Sequence, residues 1–186
     1  MTTNPSVSNP RQYPESSSGW GRILGLLCTI ALVSAAPCAG AATVLNEVQV
    51  STTGTDWEFF EIAGVPGTSL AELSLVSIES DAGSVVGRVD AVVPLSGTIP
   101  ADGFWWAGSG TGIATYSGTC GAADGSFSDN TLENGSTTNL LVRGFSGSVG
   151  LDLDTNDDGV LDLTPWTDVV DGVAIQGAAG DLAYGG

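Results

Sequence analysis

The sequence predicts an all-β sandwich interrupted by two long loops. Short runs of β-branched and aromatic residues alternate in and out with a period of two, the mark of half-buried strands. Gly, Ser, Thr, Asp and Pro separate these runs, and no helical periodicity is sustained. The chain also carries 27 glycines among its 186 residues, which penalises helix interiors throughout.

The first strand is expected at Val44–Val50 (VLNEVQV) and the second at Trp57–Ala63 (WEFFEIA). In the second, Glu58, Phe60 and Ile62 alternate with Trp57, Phe59, Glu61 and Ala63, so the two sets face opposite sides. Leu73–Glu79 (LSLVSIE), Val85–Leu95 around Arg88, and Gly103–Ala107 (GFWWA) follow. Asn139–Phe145 (NLLVRGF) and Asp168–Ile175 (DVVDGVAI) complete a set of seven, enough for a sandwich of roughly immunoglobulin size. The long connections are Gly108–Thr138, which holds Cys120, and Ser146–Thr167, which holds the acidic run DLDTNDDGVLD. Loops of this length are usually functional or need an external tie such as a metal.

Ahead of the strands lies a leader. Ile23–Ala36 is apolar, follows Arg22, and precedes the small-residue stretch PCAGAA. At 1.5 Å per residue it is too short for a ~30 Å hydrocarbon core, so it reads as a signal-peptide core rather than a membrane span. Ala39-Gly40-Ala41 supplies the A-x-A pattern, placing cleavage near Ala41 and assigning residues 1–41 to the signal peptide and 42–186 to one exported domain. A lipoprotein anchor at Cys38 is the alternative, but Ala35-Ala36-Pro37 does not form a lipobox. The chain stops at Leu182-Ala183-Tyr184-Gly185-Gly186 without a closing strand, the expectation for a protein truncated at its C-terminus.

Removing Glu15 from the 21 acids, and Arg11 and Arg22 from the four bases, leaves 20 against two from residue 42 on, a net charge of −18. Affinity for nucleic acid depends on Lys and Arg at phosphates, so direct binding to DNA or RNA is excluded on charge. The same repulsion opposes adsorption to anionic lipid. With Cys28 and Cys38 in the leader, Cys120 stands alone, either as a small buried apolar residue or as a thiol awaiting a partner.

The segments Val44-Leu45-Asn46-Glu47-Val48, Glu58-Phe59-Phe60-Glu61-Ile62, Gly67-Thr68-Ser69-Leu70 and Leu73-Ser74-Leu75-Val76 form an ordered series. Ser96 to Phe104 adds a turn ending in Ile99-Pro100-Ala101-Asp102-Gly103 before an aromatic strand. Together with Asp129–Gly135 and the stretch from Asp152 to Ile175, this order resembles the lamin-tail domains of bacterial secreted proteins, over about residues 43–184. Ser69-Leu70-Ala71-Glu72-Leu73 departs from that pattern, lacking its glycine and tryptophan. The resemblance implies an immunoglobulin-like β-sandwich and a non-catalytic accessory or adhesion role, in bacteria often beside exported nucleases, phosphoesterases or other hydrolases. It transfers no catalytic residue.

The residue inventory narrows the chemistry. With no His and no Lys, the chain has no imidazole base or ligand, no Schiff-base lysine and no Ser/His/Asp triad. Cys120 has neither a base nor a basic neighbour in sequence to activate it. Glu47, Glu58 and Glu61 are candidates for the two carboxylates of a glycosidase, but Glu58 and Glu61 fall on opposite faces of one strand, so only Glu47 with one of them could pair, across strands. The alternative makes them solvent-facing strand residues, with one serving as a polar partner for backbone. Trp105 and Trp106 likewise face opposite sides, one as core and the other as a candidate ligand platform at an edge or under a loop. Trp57 and Trp166 read as packing anchors for loop ends, and Asn134-Gly135 as a turn.

The acidic run remains. Asp154, Asn156 and Asp158 occupy the first three ligand positions of a D-x-[DN]-x-[DN]-G calcium frame, Gly159 the sharp turn, Val160 the carbonyl position and Asp162 the ninth. The twelfth position is Pro165 where a bidentate Glu belongs, and the flanks are not helical, so this is no EF-hand. A helix-free structural Ca²⁺ loop is expected, with the missing ligand from Asp152, Asp168, Asp171 or a remote residue. Asp157 breaks the alternation and is expected to point outward. The alternative is a run of Asx turns, against which stands the mutual repulsion of five aspartates in eleven residues. Two further readings are a fragment of a secreted metal-dependent hydrolase and a Ca²⁺-dependent carbohydrate-binding module. The expected partner is a protein or glycan at the cell surface, met by a monomeric module.

Overall fold

The computed structural model describes residues 42–51 and 54–185; the expected leader, with its cleavage point, lies outside them. Two four-stranded sheets face each other. The first has the order β1 (Val44–Gln49), β2 (Phe59–Ala63), β5 (Phe104–Gly108), β6 (Gly125–Ser126). The second has the order β4 (Val89–Pro94), β3 (Leu73–Glu79), β7 (Thr137–Arg143), β8 (Asp168–Ile175). All pairings are antiparallel except β5 with the two-residue β6. The all-β sandwich class is therefore as expected. No helix among the described residues is long and apolar enough to cross a membrane.

The alternation of each strand decides what meets in the middle. Phe60 and Ile62 of β2 and Trp105 and Ala107 of β5 point inward from the first sheet. Leu73 and Leu75 of β3, Ala91 and Val93 of β4 and Leu141 of β7 oppose them. Phe60 anchors the aromatic part, 5.9 Å from the Trp105 ring and stacked at 5.9 Å on Phe127. Each fully buried side chain of this size contributes roughly 1.5–3 kcal/mol.

The second sheet is buried on its other face as well. Val76 and Ile78 of β3, Val89 of β4, and Leu140 and Val142 of β7 form a second core, covered by Leu153 and Tyr184 from outside the sheet. Every residue of β3 is buried, as are six of the seven in β7. Strands masked on both faces read as continuous apolar runs, which is why LSLVSIE and NLLV carry so few charges.

Sequence reading and structure differ at several boundaries. The fourth strand starts at Val89 rather than Val85, because Ser84–Arg88 forms the turn in which Gly87 adopts φ +79°. The strand expected at Asn139–Phe145 is β7, which starts two residues early, at Thr137, and ends at Arg143. β2 begins at Phe59, leaving Trp57 and Glu58 in the preceding connection.

The larger correction is a helix, α1 (Gly110–Cys120), inside the stretch expected to be an irregular loop. Local propensity does not account for it, since GTGIATYSGTC contains three glycines. The helix is assembled by contacts. The Ser109 hydroxyl accepts from Gly112 N at 3.1 Å and caps the first turn. Asp129 accepts from Thr111 N at 2.9 Å, and the Thr111 backbone and side-chain hydrogen bonds hold its carboxyl below the ordinary Asp value. Tyr116 packs on Phe59 at 4.9 Å and edge-on to Trp57 at 6.4 Å, which pins the helix on the outer face of the first sheet. Gly112 is required because a β-carbon there would stand 2.3 Å from the Glu58 carbonyl oxygen.

Glu58 itself is fully buried, and its carboxylate accepts from Leu132 N at 2.9 Å and Thr131 N at 3.3 Å. Burial pushes its pKa up against these donors. It is the backbone partner among the early glutamates, and it ties the 131–132 turn to the start of β2. Replacing Glu58 with Ala leaves buried N–H groups unpaired and should cost about 2–4 kcal/mol in urea unfolding. Glu47→Ala on the exposed part of β1 should cost less than about 0.5 kcal/mol by the same measurement.

Candidate functional site

The acidic loop lies across the outer face of the second sheet. Leu153 enters the second core and Asp154 follows it inside, both fully buried, while Thr155, Asn156, Asp157 and Asp158 are exposed. Backbone bonds fix the approach. Val89 N donates to Leu151 O at 2.9 Å, Gly150 N to Val89 O at 2.8 Å, and Leu153 N to Gly87 O at 3.0 Å. The loop thereby covers the free edge of β4. Gly87 permits this contact, since a β-carbon there would stand 2.5 Å from Asp154 Cβ.

Inside the loop, side-chain oxygens take up the backbone N–H groups one after another. Asp154 accepts from Asp158 N at 3.1 Å and Gly159 N at 2.8 Å, and Asp158 accepts from Val160 N at 2.9 Å. Asn156 Oδ1 also accepts from Asp158 N at 3.1 Å, and Asp152 Oδ1 from Asp154 N at 3.2 Å. Asp162 closes the far side, taking both the N–H and the hydroxyl of Thr155. The sharp turn uses left-handed backbone at Asp157 (φ 56°) and Gly159 (φ 85°). Asp157 is exposed, as its break in the alternation implied.

A third donor reaches Asp154 from the C-terminal segment: the Tyr184 hydroxyl, at 3.0 Å in a buried bond. Burial works against the Asp154 charge, but the Gly159 N–H, the Tyr184 hydroxyl and the neighbouring loop N–H groups outweigh it and hold the carboxyl below the usual Asp range. Tyr184 shifts the other way, since burial and the Asp154 charge both raise its pKa and keep it a neutral donor. The segment carrying it is tied down by Tyr184 N to Thr138 Oγ1 at 3.1 Å and Leu182 N to Ser80 O at 2.8 Å. Asp181 completes the tie, bonding the Ser136 hydroxyl and Ala178 N, which together lower its pKa.

The predicted ligand residues are thus together in one loop, with Val160 exposed at its tip. Of the candidate extra ligands, Asp171 is committed elsewhere, accepting from Leu45 N at 2.8 Å across the sandwich edge. Asp168 begins β8, paired with Arg143. Among the described residues, the three carboxylates whose oxygens gather within 4.8 Å are not in this loop. They are Glu79, Asp90 and Glu133, from β3, β4 and the connection before β7. Sequence reading missed them because they converge only through strand pairing. Asp90 Oδ2 is buried without a partner, and burial with the nearby Glu79 and Glu133 charges pushes the Asp90 pKa up to about 6, Arg88 opposing.

Trp105 belongs to the central core, and Trp106 lies on the outer face of the first sheet, where it too is buried, with only 5% of its surface exposed. Glu47 pairs in register with Glu61 across β1 and β2. Trp166 stacks on Phe145 at 6.4 Å beside the second core, an anchor as expected. Cys120 is exposed at the end of α1, which removes the reading of it as a buried apolar residue. No protein-family model, curated protein or solved structure matches the chain.

Tyr184→Phe removes a buried bond to a charged acceptor and should lower stability by about 1.5–3 kcal/mol in urea unfolding. In the same variant, amide exchange should accelerate first in residues 153–162. For Asp90, a pKa raised from 3.8 to about 6 on folding contributes stability below 3.8 that is lost as pH rises through 6. The melting temperature should therefore climb by roughly 2–5 °C between pH 7.5 and pH 5, and Asp90→Asn should flatten that rise while melting higher than wild type at pH 7.5.

Proposed function

We propose that the chain is an exported, non-catalytic binding or accessory module of the lamin-tail kind, with an immunoglobulin-like sandwich and a calcium-stabilised acidic loop. The observation that carries the calcium reading is the placement of Asp154, Asn156 and Asp158 in one tight loop whose root is buried in a core. A carboxylate offers about four lone-pair sites, so acceptance of loop N–H groups leaves Asp154 and Asp158 able to ligate as well. Asp152, Asp154, Asn156, Asp158, Asp162 and the Val160 carbonyl are the donors this reading assigns to Ca²⁺. All are oxygens, the chemistry that this hard cation takes. The ion would offset the repulsion among five aspartates and fix the loop that covers the second sheet.

The non-catalytic reading is supported by the absence of His and Lys and by the work already assigned to Glu58, whose oxygens are occupied by backbone N–H groups. Export is supported by the leader, and a glycan or protein partner at the cell surface by the acidic surface, which excludes nucleic acid. The module is read as monomeric.

A second reading keeps the loop closed by Asx turns alone, favoured by its N–H groups being matched by side-chain oxygens already. Thermal melting in EDTA and in a calcium titration decides between them. The calcium reading expects the melting temperature to rise with calcium through the millimolar range, by RT ln(1 + [Ca²⁺]/Kd) in free energy. It expects Asp158→Asn with Asp162→Asn to abolish that rise while the double variant still folds. A melting temperature indifferent to 10 mM calcium leaves the Asx-turn reading.

A further inference from the structure

The outer face of the first sheet holds a recess that the acidic loop does not touch. It has a volume of about 360 Å³ and lies between the end of α1 and the edge of β5, with Glu61, Asp102, Phe104, Trp106, Cys120 and Asp124 on its walls. Phe104, Trp106 and Glu61 share this face because β2 and β5 pair with Glu61 opposite Trp106 and Ala63 opposite Phe104. Phe104 leaves 44% of its surface open, unusual for a strand phenylalanine, and so offers a bare ring face.

The Trp106 side chain is 95% buried, since only 5% of it is exposed, yet its indole Nε1 has no hydrogen-bond partner. A buried indole N–H usually finds an acceptor. Its direction can be read from the strand. A β-carbon at Gly108 would stand 3.2 Å from Trp106 Cζ3, so the six-membered edge of the ring lies toward Gly108 and α1. Nε1 is on the opposite edge, directed away from Gly108, and Trp106 is among the residues that line the recess. Around it, Asp124 Oδ2 accepts from Trp106 N at 3.1 Å, Asp102 Oδ1 from Phe104 N at 3.1 Å, and Glu61 Oε1 from Asn46 Nδ2 at 2.7 Å. Each carboxylate keeps its other oxygen without a protein partner among the described residues.

These groups select a ligand by elimination. An anion is repelled by three carboxylates. An ammonium ion satisfies the carboxylates and the aromatic faces but brings no acceptor for the indole N–H. A hydroxyl does both, accepting from Nε1–H and donating to a carboxylate, and the apolar face of a sugar ring stacks on an exposed phenylalanine. We propose that this recess is a subsite for a neutral saccharide, with Trp106 Nε1–H as donor, Glu61, Asp102 and Asp124 as acceptors, and Phe104 as the stacking platform. The volume accommodates one or two sugar rings. The proposal supplies a ligand class for the binding-module reading and rests on that reading for the sugar being held rather than cleaved. It is independent of calcium, because none of the acidic-loop residues lines the recess.

Titration of the full chain with glucose, galactose, mannose, N-acetylglucosamine and cellobiose in EDTA, followed by calorimetry and tryptophan fluorescence, tests the proposal. At least one sugar should bind saturably with a dissociation constant of order 1 mM. Trp106→Phe, which keeps a ring and removes the donor, should weaken that binding about tenfold. Phe104→Ala alters only an exposed platform, so it should fold like wild type and weaken binding at least fivefold. The bound sugar should also slow alkylation of Cys120 in a chain carrying Cys28→Ser and Cys38→Ser. Absence of saturation with all five sugars up to 50 mM overturns the proposal. So does tighter binding of tetramethylammonium than of any sugar, or unchanged affinity in both variants. Cellobiose bound but hydrolysed supports the subsite and overturns the non-catalytic reading alone.

Discussion

The buried Asp154 carboxylate is the constraint on which the outer half of this molecule depends. It receives two N–H groups from its own loop and the Tyr184 hydroxyl from a segment thirty residues later. It thereby joins the loop to the C-terminal segment, the two coverings of the outer face of β3 and β7. A β-sandwich normally solvates the outer faces of its sheets. Here the second sheet is apolar on both, so the loop and the C-terminal segment are structural coverings, and the charge at their junction is stabilised by donors aimed at it.

Carboxylates that accept hydrogen bonds from nearby N–H and hydroxyl groups recur across the chain. With two arginines facing twenty acids from residue 42 on, ion pairing cannot neutralise the carboxylates. Glu58, Asp129, Asp154 and Asp181 instead gather N–H and hydroxyl donors at the loop junctions, and each fastens a connection to a strand or helix. Asp90 is the counterexample, a partly buried carboxyl among other carboxylates with one oxygen unmatched. The physical contrast is directional: three of the four donor-matched acids have lowered pKa values, while burial still wins at Glu58 and, with like charges added, at Asp90.

The two sheets therefore present different outer faces. The second is covered by the acidic loop and the C-terminal segment, which leave a cavity of about 470 Å³ beside Leu140, Val160 and Trp166. The first is covered only in part, because α1 rests on Phe59 through Tyr116 and ends before it reaches Phe104. The uncovered remainder, with an unmatched indole N–H and three half-used carboxylates, is where the molecule retains polar capacity that its own fold does not consume.

Much of this was legible in the residues. Period-two alternation is a property of the extended backbone itself, so WEFFEIA declared its strand and Trp105 and Trp106 declared opposite faces before any tertiary contact was known. The D-x-N-x-D-G order likewise announced a tight oxygen-lined turn, because Asp, Asn and Gly close such turns locally. What the residues could not announce were features that exist only through contacts distant in sequence. Helix α1 forms against its own glycines because Ser109, Asp129 and the Phe59 ring hold it. The Glu79, Asp90 and Glu133 cluster arises from strand pairing across more than fifty residues. Which tryptophan entered the core, and that Asp154 would be buried against Tyr184, were settled when the sheets packed, since burial is a property of the assembled layers and not of any single segment.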